Sequence, residues 1–372
     1  MQPISFDNAA TGFPKPAAVQ EAVLRAMQTA GNPGRGGHPL AEAGGAMVYH
    51  ARETAAGMFG ASPENVVFTG SCTHALNLAI QGTLRQGDHV IITDLEHNSV
   101  WRPVYALAAA GRITYSIAHI PPETARIPDA IAQHIRKNTA AVIMTLVSNV
   151  TGQILPHRAI AEMCRSHGIR LIADGAQGCG VIPVSLADGI QILCTAGHKG
   201  LYGPMGTGLL LTDGTVPITP LIQGGTGSRS QSPQQPDYLP DALESGTLNV
   251  SGIAGLDAGM QFIMQKGLRT VFAHEAALCE RFLSHLRAIP DAVIYRQPSA
   301  DYAPVVSFRL MRETPQETAA RLAEAGICMR AGLHCAPLAH TALGTSADGT
   351  VRFAPSVFST AAQTDRAGSV IA

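Results

Sequence analysis

The chain has 372 residues, 46% of them hydrophobic and 14% charged, with 38 glycines and a formal net charge of -1; this is the composition of a compact globular protein and excludes a disordered one, and the length favours a large domain with a smaller companion. No basic stripe, aromatic-basic interleaving or zinc-finger spacing offers a nucleic acid a surface to bind by charge, and no apolar run is long enough to span a bilayer. The opening residues Met1 to Asn8 show neither a basic nor an apolar targeting region, and the seven cysteines have no regular spacing, so a cytoplasmic protein with free thiols, no disulfide, no nucleic acid partner and no membrane partner is expected.

In chain order, apolar runs of strand length alternate with stretches of helical period, the pattern of a parallel sheet covered on both faces. Residues 16–29 read as a helix, with Pro14 and Pro16 near its start and Gly31-Asn32-Pro33-Gly34 ending it. A glycine loop, Gly34 to His38, leads into a second helix over 43–59. A strand at 65–69, a helix at 73–81 and a strand at 89–93 follow, then helices at 101–110 and 127–136. The beat continues with a strand at 140–147, a helix at 156–167 and strands at 171–173 and 209–211. Residues 223–241 carry glycine, serine, glutamine and proline with little apolar content and read as a long functional loop. Helices at 253–264 and 271–286, a strand at 305–310 and a helix at 314–325 complete the series. The expected division is a large domain over 15–258 and a smaller one over 259–372 plus 1–14. Cys164, Cys179, Cys194, Cys279 and Cys328 lie in apolar or helical stretches and read as packed free thiols.

The sharpest chemical feature is a pair. The run from Ile190 leads into His198-Lys199-Gly200, and the run from Ile169 leads into Asp174-Gly175-Ala176-Gln177, so an amine and a carboxylate end neighbouring strands at one sheet edge. Of the four lysines, Lys15 stands beside prolines, Lys137 before Asn138 and Lys266 before Gly267, contexts that read as exposed. Only Lys199 is placed for chemistry. An amine able to hold an aldehyde as a Schiff base, with an acid that keeps a pyridine nitrogen protonated, suits pyridoxal 5'-phosphate.

Thr69-Gly70-Ser71-Cys72-Thr73 joins a strand to a helix, so its backbone N–H groups and the helix dipole converge on a spot fit for a phosphate. His198 and Thr195 stand ready to add donors there. His97, just past the strand at 89–93, lies at the carboxyl edge where open sheets bind ligands and reads as a ring that stacks on the pyridine and relays a proton. In Arg330-Ala331-Gly332-Leu333-His334-Cys335 a thiol is flanked by arginine and histidine, and nearby positive charge favours the thiolate. A metal set of His334, Cys335 and His340 ranks below this, because a zinc site needs four ligands and no partner set accompanies these three; no metal is expected. Arg352 is of the residue type that grips a carboxylate at two points.

At these residues the chain resembles the cysteine desulfurase branch of the class V aminotransferases, and the likeness runs over nearly all of it. Its signposts are Phe6-Asp7-Asn8-Ala9-Ala10-Thr11, Glu96-His97-Asn98-Ser99, Val147-Ser148-Asn149, Asp174-Gly175-Ala176-Gln177, Gly197-His198-Lys199, Glu244 to Asn249 and Arg330 to Cys335. The resemblance implies a fold type I α/β enzyme, with a mostly parallel sheet between helices and a smaller α+β C-terminal domain carrying the cysteine loop. It implies Lys199 as the Schiff-base residue, Asp174 at the ring nitrogen, Gln177 at the ring hydroxyl and His97 stacking. It further implies Cys72, Thr73 and His198 at the phosphate, Thr247 reaching a phosphate across a homodimer interface, Asn149, Arg352 and Arg330 on the substrate, and Cys335 as a sheltered sulfur acceptor. Where relatives have Ser or Thr before Gly-His-Lys this chain has Ala196, and where a glutamate usually follows the phosphate-site threonine it has His74.

The activity so implied is removal of sulfur from L-cysteine, giving L-alanine and a persulfide on Cys335, which a sulfur-acceptor protein can collect. L-Selenocysteine is the alternative substrate, and an aminotransferase or C–S lyase the alternative enzyme. A carrier or metal-binding module that kept the fold but lost the cofactor is a rival of another class.

Overall fold

The computed structural model describes residues 3–34 and 36–372; Met1, Gln2 and Arg35 of the glycine loop lie outside them. Seven strands form the main sheet: β1 (Val66–Thr69), β2 (His89–Thr93), β3 (Thr114–Ala118), β4 (Thr139–Thr145), β5 (Arg170–Asp174), β6 (Ile192–Ala196) and β7 (Gly208–Thr212). Their spatial order is β1-β7-β6-β5-β4-β2-β3, and only β7 runs against its neighbours.

The strands read as unbroken apolar runs because both faces are covered. Along β2, Ile91 enters one apolar cluster, with Val142, Leu171 and Leu193, while Val90 and Ile92 enter the other, with Ile143 and Ile172. The helices Pro39–Phe59 and Val250–Lys266 cover the first face, and Cys72–Thr83 and Asn98–Ala109 the second. A third cluster stands apart, joining Ile4 and Phe6 to the helix Leu268–Arg287 and to a four-stranded antiparallel sheet. That sheet comprises β8 (Ala292–Ile294), β9 (Val306–Leu310), β10 (Arg330–Gly332) and β11 (Thr350–Phe353), in the order β10-β11-β9-β8. Phe282 stacks on Phe353 at 4.1 Å between ring centroids within it.

Several boundaries differ from the sequence reading, each for a local reason. The second helix begins at Pro39, four residues early, because the His38 ring accepts from the Ala41 N–H and proline suits a first helical turn. The helix expected over 101–110 begins at Asn98, where His97 acts as the cap. Strand β3 went unread: it is an edge strand with exposed and half-buried positions, so it has no apolar run to announce it. The helix expected over 127–136 ends at Ala132. Residues 213–249 contain neither helix nor strand, and Gln235 pins the loop by accepting from the Gly224 N–H at 3.1 Å and donating to Ser245 Oγ at 2.9 Å.

Glu275 lies buried on the helix Leu268–Arg287, against Tyr202, and burial lifts its carboxyl from an ordinary 4.5 to about 8. Between these values the unfolded chain ionises this group while the folded chain keeps it protonated, so the group costs stability as pH rises through that window. The neutral isostere Glu275→Gln is therefore expected to raise the melting temperature at pH 8 and to leave it unchanged near pH 4, as read by calorimetry. Equal shifts at both pH values would contradict this.

Candidate active site

The carboxyl ends of β5 and β6 place the two central groups. The strands are parallel neighbours with Asp174 opposite Cys194, so the acid comes directly from a strand terminus. Lys199 does not end its strand: β6 stops at Ala196 and the lysine lies three residues on, in a turn. That turn is fastened from outside. The His198 carbonyl accepts from Gly12 N (2.9 Å), Thr11 Oγ1 (3.1 Å) and Lys15 Nζ (2.9 Å). Gly12 is required there, since a Cβ at that position would stand 2.7 Å from the Lys199 carbonyl oxygen. The N-terminal signpost thus acts as a strap over the lysine turn. Lys15, read as exposed, is half-buried against that carbonyl, and burial lowers its pKa to about 8; sequence gives no cue to this long-range bond.

Lys199, Asp174, His97, Gln177, Cys72, Thr73, His198, Asn149, Arg330 and Arg352 line one cavity of about 220 Å³. The structure therefore brings together the site residues picked from sequence except Cys335, Thr247 and Thr195; the Thr195 hydroxyl is buried and donates to the Gly175 carbonyl at 3.2 Å instead of reaching the phosphate spot. Burial lowers the proton affinity of the Lys199 amine, opposed by the nearby Asp174 carboxylate. His97 is neutral at physiological pH, because burial pulls its pKa to about 4. Its Nδ1 accepts from Ser99 N at 3.0 Å and pairs with Ser99 Oγ at 2.7 Å, and Ser99 Oγ in turn meets Thr73 Oγ1 at 2.8 Å. Ser99 is a site residue that sequence reasoning missed, though its place two residues past His97 was a visible signal. Gln177 donates to the Ala9 carbonyl at 2.8 Å.

At the phosphate spot, Ser71 caps the helix Cys72–Thr83 by accepting from His74 N at 3.1 Å, and the N–H groups of Cys72 and Thr73 meet no acceptor among the described residues. The His198 Nδ1 is buried without a partner. Burial lowers the His198 pKa to about 4 and lowers that of His74 as well. His74 does not serve as the absent glutamate: its Nδ1 accepts from the Gly70 N–H at 3.3 Å, turned back into its own loop.

Arg352 is fully buried, donating to the Asn149 carbonyl at 2.8 Å and pairing with Asp7 at 3.0 Å, while its Nε is buried without a partner. A substrate carboxylate would satisfy that donor. Asn149 also clamps the thiol loop, its Nδ2 donating to the His334 carbonyl at 2.7 Å, and Asn98 N donates to the Cys335 carbonyl at 2.8 Å. Between these two bonds His334 and Cys335 adopt left-handed backbone, φ 47° and 58°, a conformation that side chains other than glycine tolerate only when the surroundings enforce it.

Two sequence readings are corrected here. Cys335 is exposed, not sheltered, because the left-handed pair buries His334 and turns the next side chain outward; its Sγ lies 3.7 Å from Arg330 Nη2. Cys328 is exposed as well, whereas Cys164, Cys179, Cys194 and Cys279 are buried. Thr247 lies apart from its own chain's Lys199 cavity, in a second one of about 190 Å³ with Thr69, His74 and Asn249. That segment is held to the sheet by the buried ion pair of Glu244 with Arg52 and by the Phe68 N–H donating to Glu244 Oε1 at 2.6 Å. Among the described residues no group of three or more His, Cys, Asp or Glu side chains is arranged to hold a metal, and no helix is long and apolar enough to cross a membrane.

A strand-end acid, a buried amine, a neutral ring and an anion cradle on one doubly covered sheet define the class, and the comparisons place the chain within it. The chain belongs to the class-V aminotransferases, whose family model matches residues 4–366, and within them to the cysteine desulfurase family. A probable cysteine desulfurase of Methanothermobacter thermautotrophicus is 30% identical over 377 residues, covering 98% of this chain and 93% of that protein. A probable cysteine desulfurase of Mycolicibacterium paratuberculosis is 32% identical over 94% of this chain, which spans about half, 52%, of that protein's length. Among solved structures, an apo cysteine desulfurase of Thermococcus onnurineus superposes with a TM-score of 0.90 at 28% identity, covering 99% of this chain and 94% of that one. The architecture is accordingly the fold type I of pyridoxal-phosphate enzymes.

Proposed function

We propose that the protein is a cysteine desulfurase that converts L-cysteine to L-alanine and carries the released sulfur as a persulfide on Cys335. The observation that carries this reading is the meeting, around one cavity, of a buried amine and acid with an arginine that also touches an exposed thiol. A transaminase has no use for that thiol.

The residues fit pyridoxal 5'-phosphate. Free N–H groups at a helix start, the orphaned His198 Nδ1 and Thr73 suit its phosphate, Asp174 its ring nitrogen, Gln177 its hydroxyl, His97 its ring face, and Lys199 its aldehyde. Bound there, the cofactor supplies an electron sink that weakens the bonds around the substrate's α-carbon. The chain does the rest. Arg352, through its unpartnered Nε, and Asn149 hold the substrate carboxylate. Lys199, whose proton affinity burial has lowered, takes the α-proton. Arg330 Nη2 donates to Cys335 Sγ at 3.7 Å and orients it, and this sulfur attacks the substrate sulfur; the carbon–sulfur bond breaks, a sulfur–sulfur bond forms, and the carbon skeleton leaves protonated as alanine.

Thr247 and its second cavity support a homodimer in which this residue serves the partner subunit's phosphate. The separate third apolar cluster supports the division into 15–258 and 259–372 plus 1–14. Seven free thiols suit the reducing cytoplasm. Incubating the cofactor-loaded protein with L-cysteine should give alanine and protein-bound persulfide in equal amounts during the first turnover. Pyruvate and sulfide in place of alanine, the products of β-elimination, would favour a C–S lyase and sink the desulfurase reading, and alanine with no persulfide on the protein would exclude Cys335 as the sulfur carrier.

A further inference from the structure

Asp174 uses its two oxygens differently. Oδ1 accepts from Ala176 N at 2.9 Å and from the Cys72 thiol at 3.4 Å, within the longer range of sulfur donors, whereas Oδ2 accepts from nothing among the described residues. Both side chains are buried, Asp174 to 3% and Cys72 to 7% exposure. Cys72 is the donor in this contact, since burial and the adjacent carboxylate push its pKa well above the ordinary value and keep the thiol protonated. The rest of the wall offers no substitute. Cys194 faces Asp174 across the strand pair and Cys179 packs against Gly175, and both thiols are also held protonated by burial.

We propose that Cys72 is a positioning residue for the cofactor ring. Its S–H and the Ala176 N–H fix Oδ1, so that the carboxylate keeps one torsion and Oδ2 is presented to the ring nitrogen. The Cys72 side chain thereby acts through Asp174, while only its backbone N–H faces the phosphate spot. This rests on the reading of Asp174 as the partner of the ring nitrogen. Without the thiol the carboxylate loses one of the two donors that hold Oδ1 and becomes free to turn. Oδ2 then no longer meets the ring nitrogen squarely, and the hydrogen bond between them weakens.

The test uses the cofactor-loaded protein and the variants Cys72→Ala, Cys72→Val and Cys72→Ser. The measurements are the dissociation constant for pyridoxal 5'-phosphate and the ¹⁵N chemical shift of its labelled ring nitrogen. Alanine and valine are expected to weaken affinity about 3-fold, the low end of what one hydrogen bond from a neutral donor is worth, and to move the shift toward that of neutral pyridine. Serine, which restores a donor, should return both toward wild type. Valine guards against a packing artefact, because it fills the space of the thiol without donating. If alanine and valine leave the shift at its wild-type value while Asp174→Ala changes it, the inference about Cys72 fails and the reading of Asp174 stands. If Asp174→Ala also leaves the shift unchanged, the underlying reading falls with it.

Discussion

Cys335→Ala protein, loaded with cofactor and given L-cysteine, is expected to release alanine at least about 10³-fold more slowly than wild type, the scale on which removing a nucleophile acts. The reason is positional. The thiol stands on a loop whose left-handed backbone at His334 and Cys335 is held by Asn149 and Asn98, with Arg330 3.7 Å from the sulfur. No other exposed thiol lies on that loop: Cys328 is the one further exposed cysteine among the described residues, and it precedes the loop on the strand Ile327–Cys328. With L-selenocysteine the loss should be much smaller, because selenium leaves carbon more readily and needs less help from a nucleophile. A chromatographic assay of alanine on both substrates checks this. Wild-type alanine release from cysteine would exclude sulfur transfer through Cys335.

Lys199→Ala is the second change of large effect. It should abolish turnover on both substrates, and the variant should purify without the visible absorbance that wild type carries. The amine lines the cavity on a half-buried residue, and its lowered proton affinity suits both attack on an aldehyde and later removal of a proton. Lys15 is no substitute. It spends a hydrogen bond on the His198 carbonyl and lines a different cavity, with Phe13 and Phe358. A Lys199→Ala protein with the wild-type visible spectrum would show the anchoring assignment to be wrong.

Strands at the centre of the main sheet and the residues at their carboxyl ends were legible because both are written locally. Two-faced burial makes β2 and β4 to β7 near-continuous apolar runs, and the polar residues that break those runs, Asp174 and His97 among them, fall where the strands end. Edge strand β3 escaped for the converse reason. Long-range fastenings were also hidden: nothing near Lys15 announces a bond to a carbonyl 183 positions away, nor Cys72 its bond to a carboxylate 102 positions on. Exposure of Cys335 depends on backbone φ at two residues other than glycine, which the loop's glycine at 332 does not reveal.

The most direct measurement is a crystal structure of the protein grown with pyridoxal 5'-phosphate. Continuous density from Lys199 Nζ to the cofactor, with Asp174 Oδ2 on the ring nitrogen and His97 against the ring face, is the expected result. A cofactor bound elsewhere, or one whose ring nitrogen points away from Asp174, would contradict the assignment of amine and acid to opposite sides of one ring.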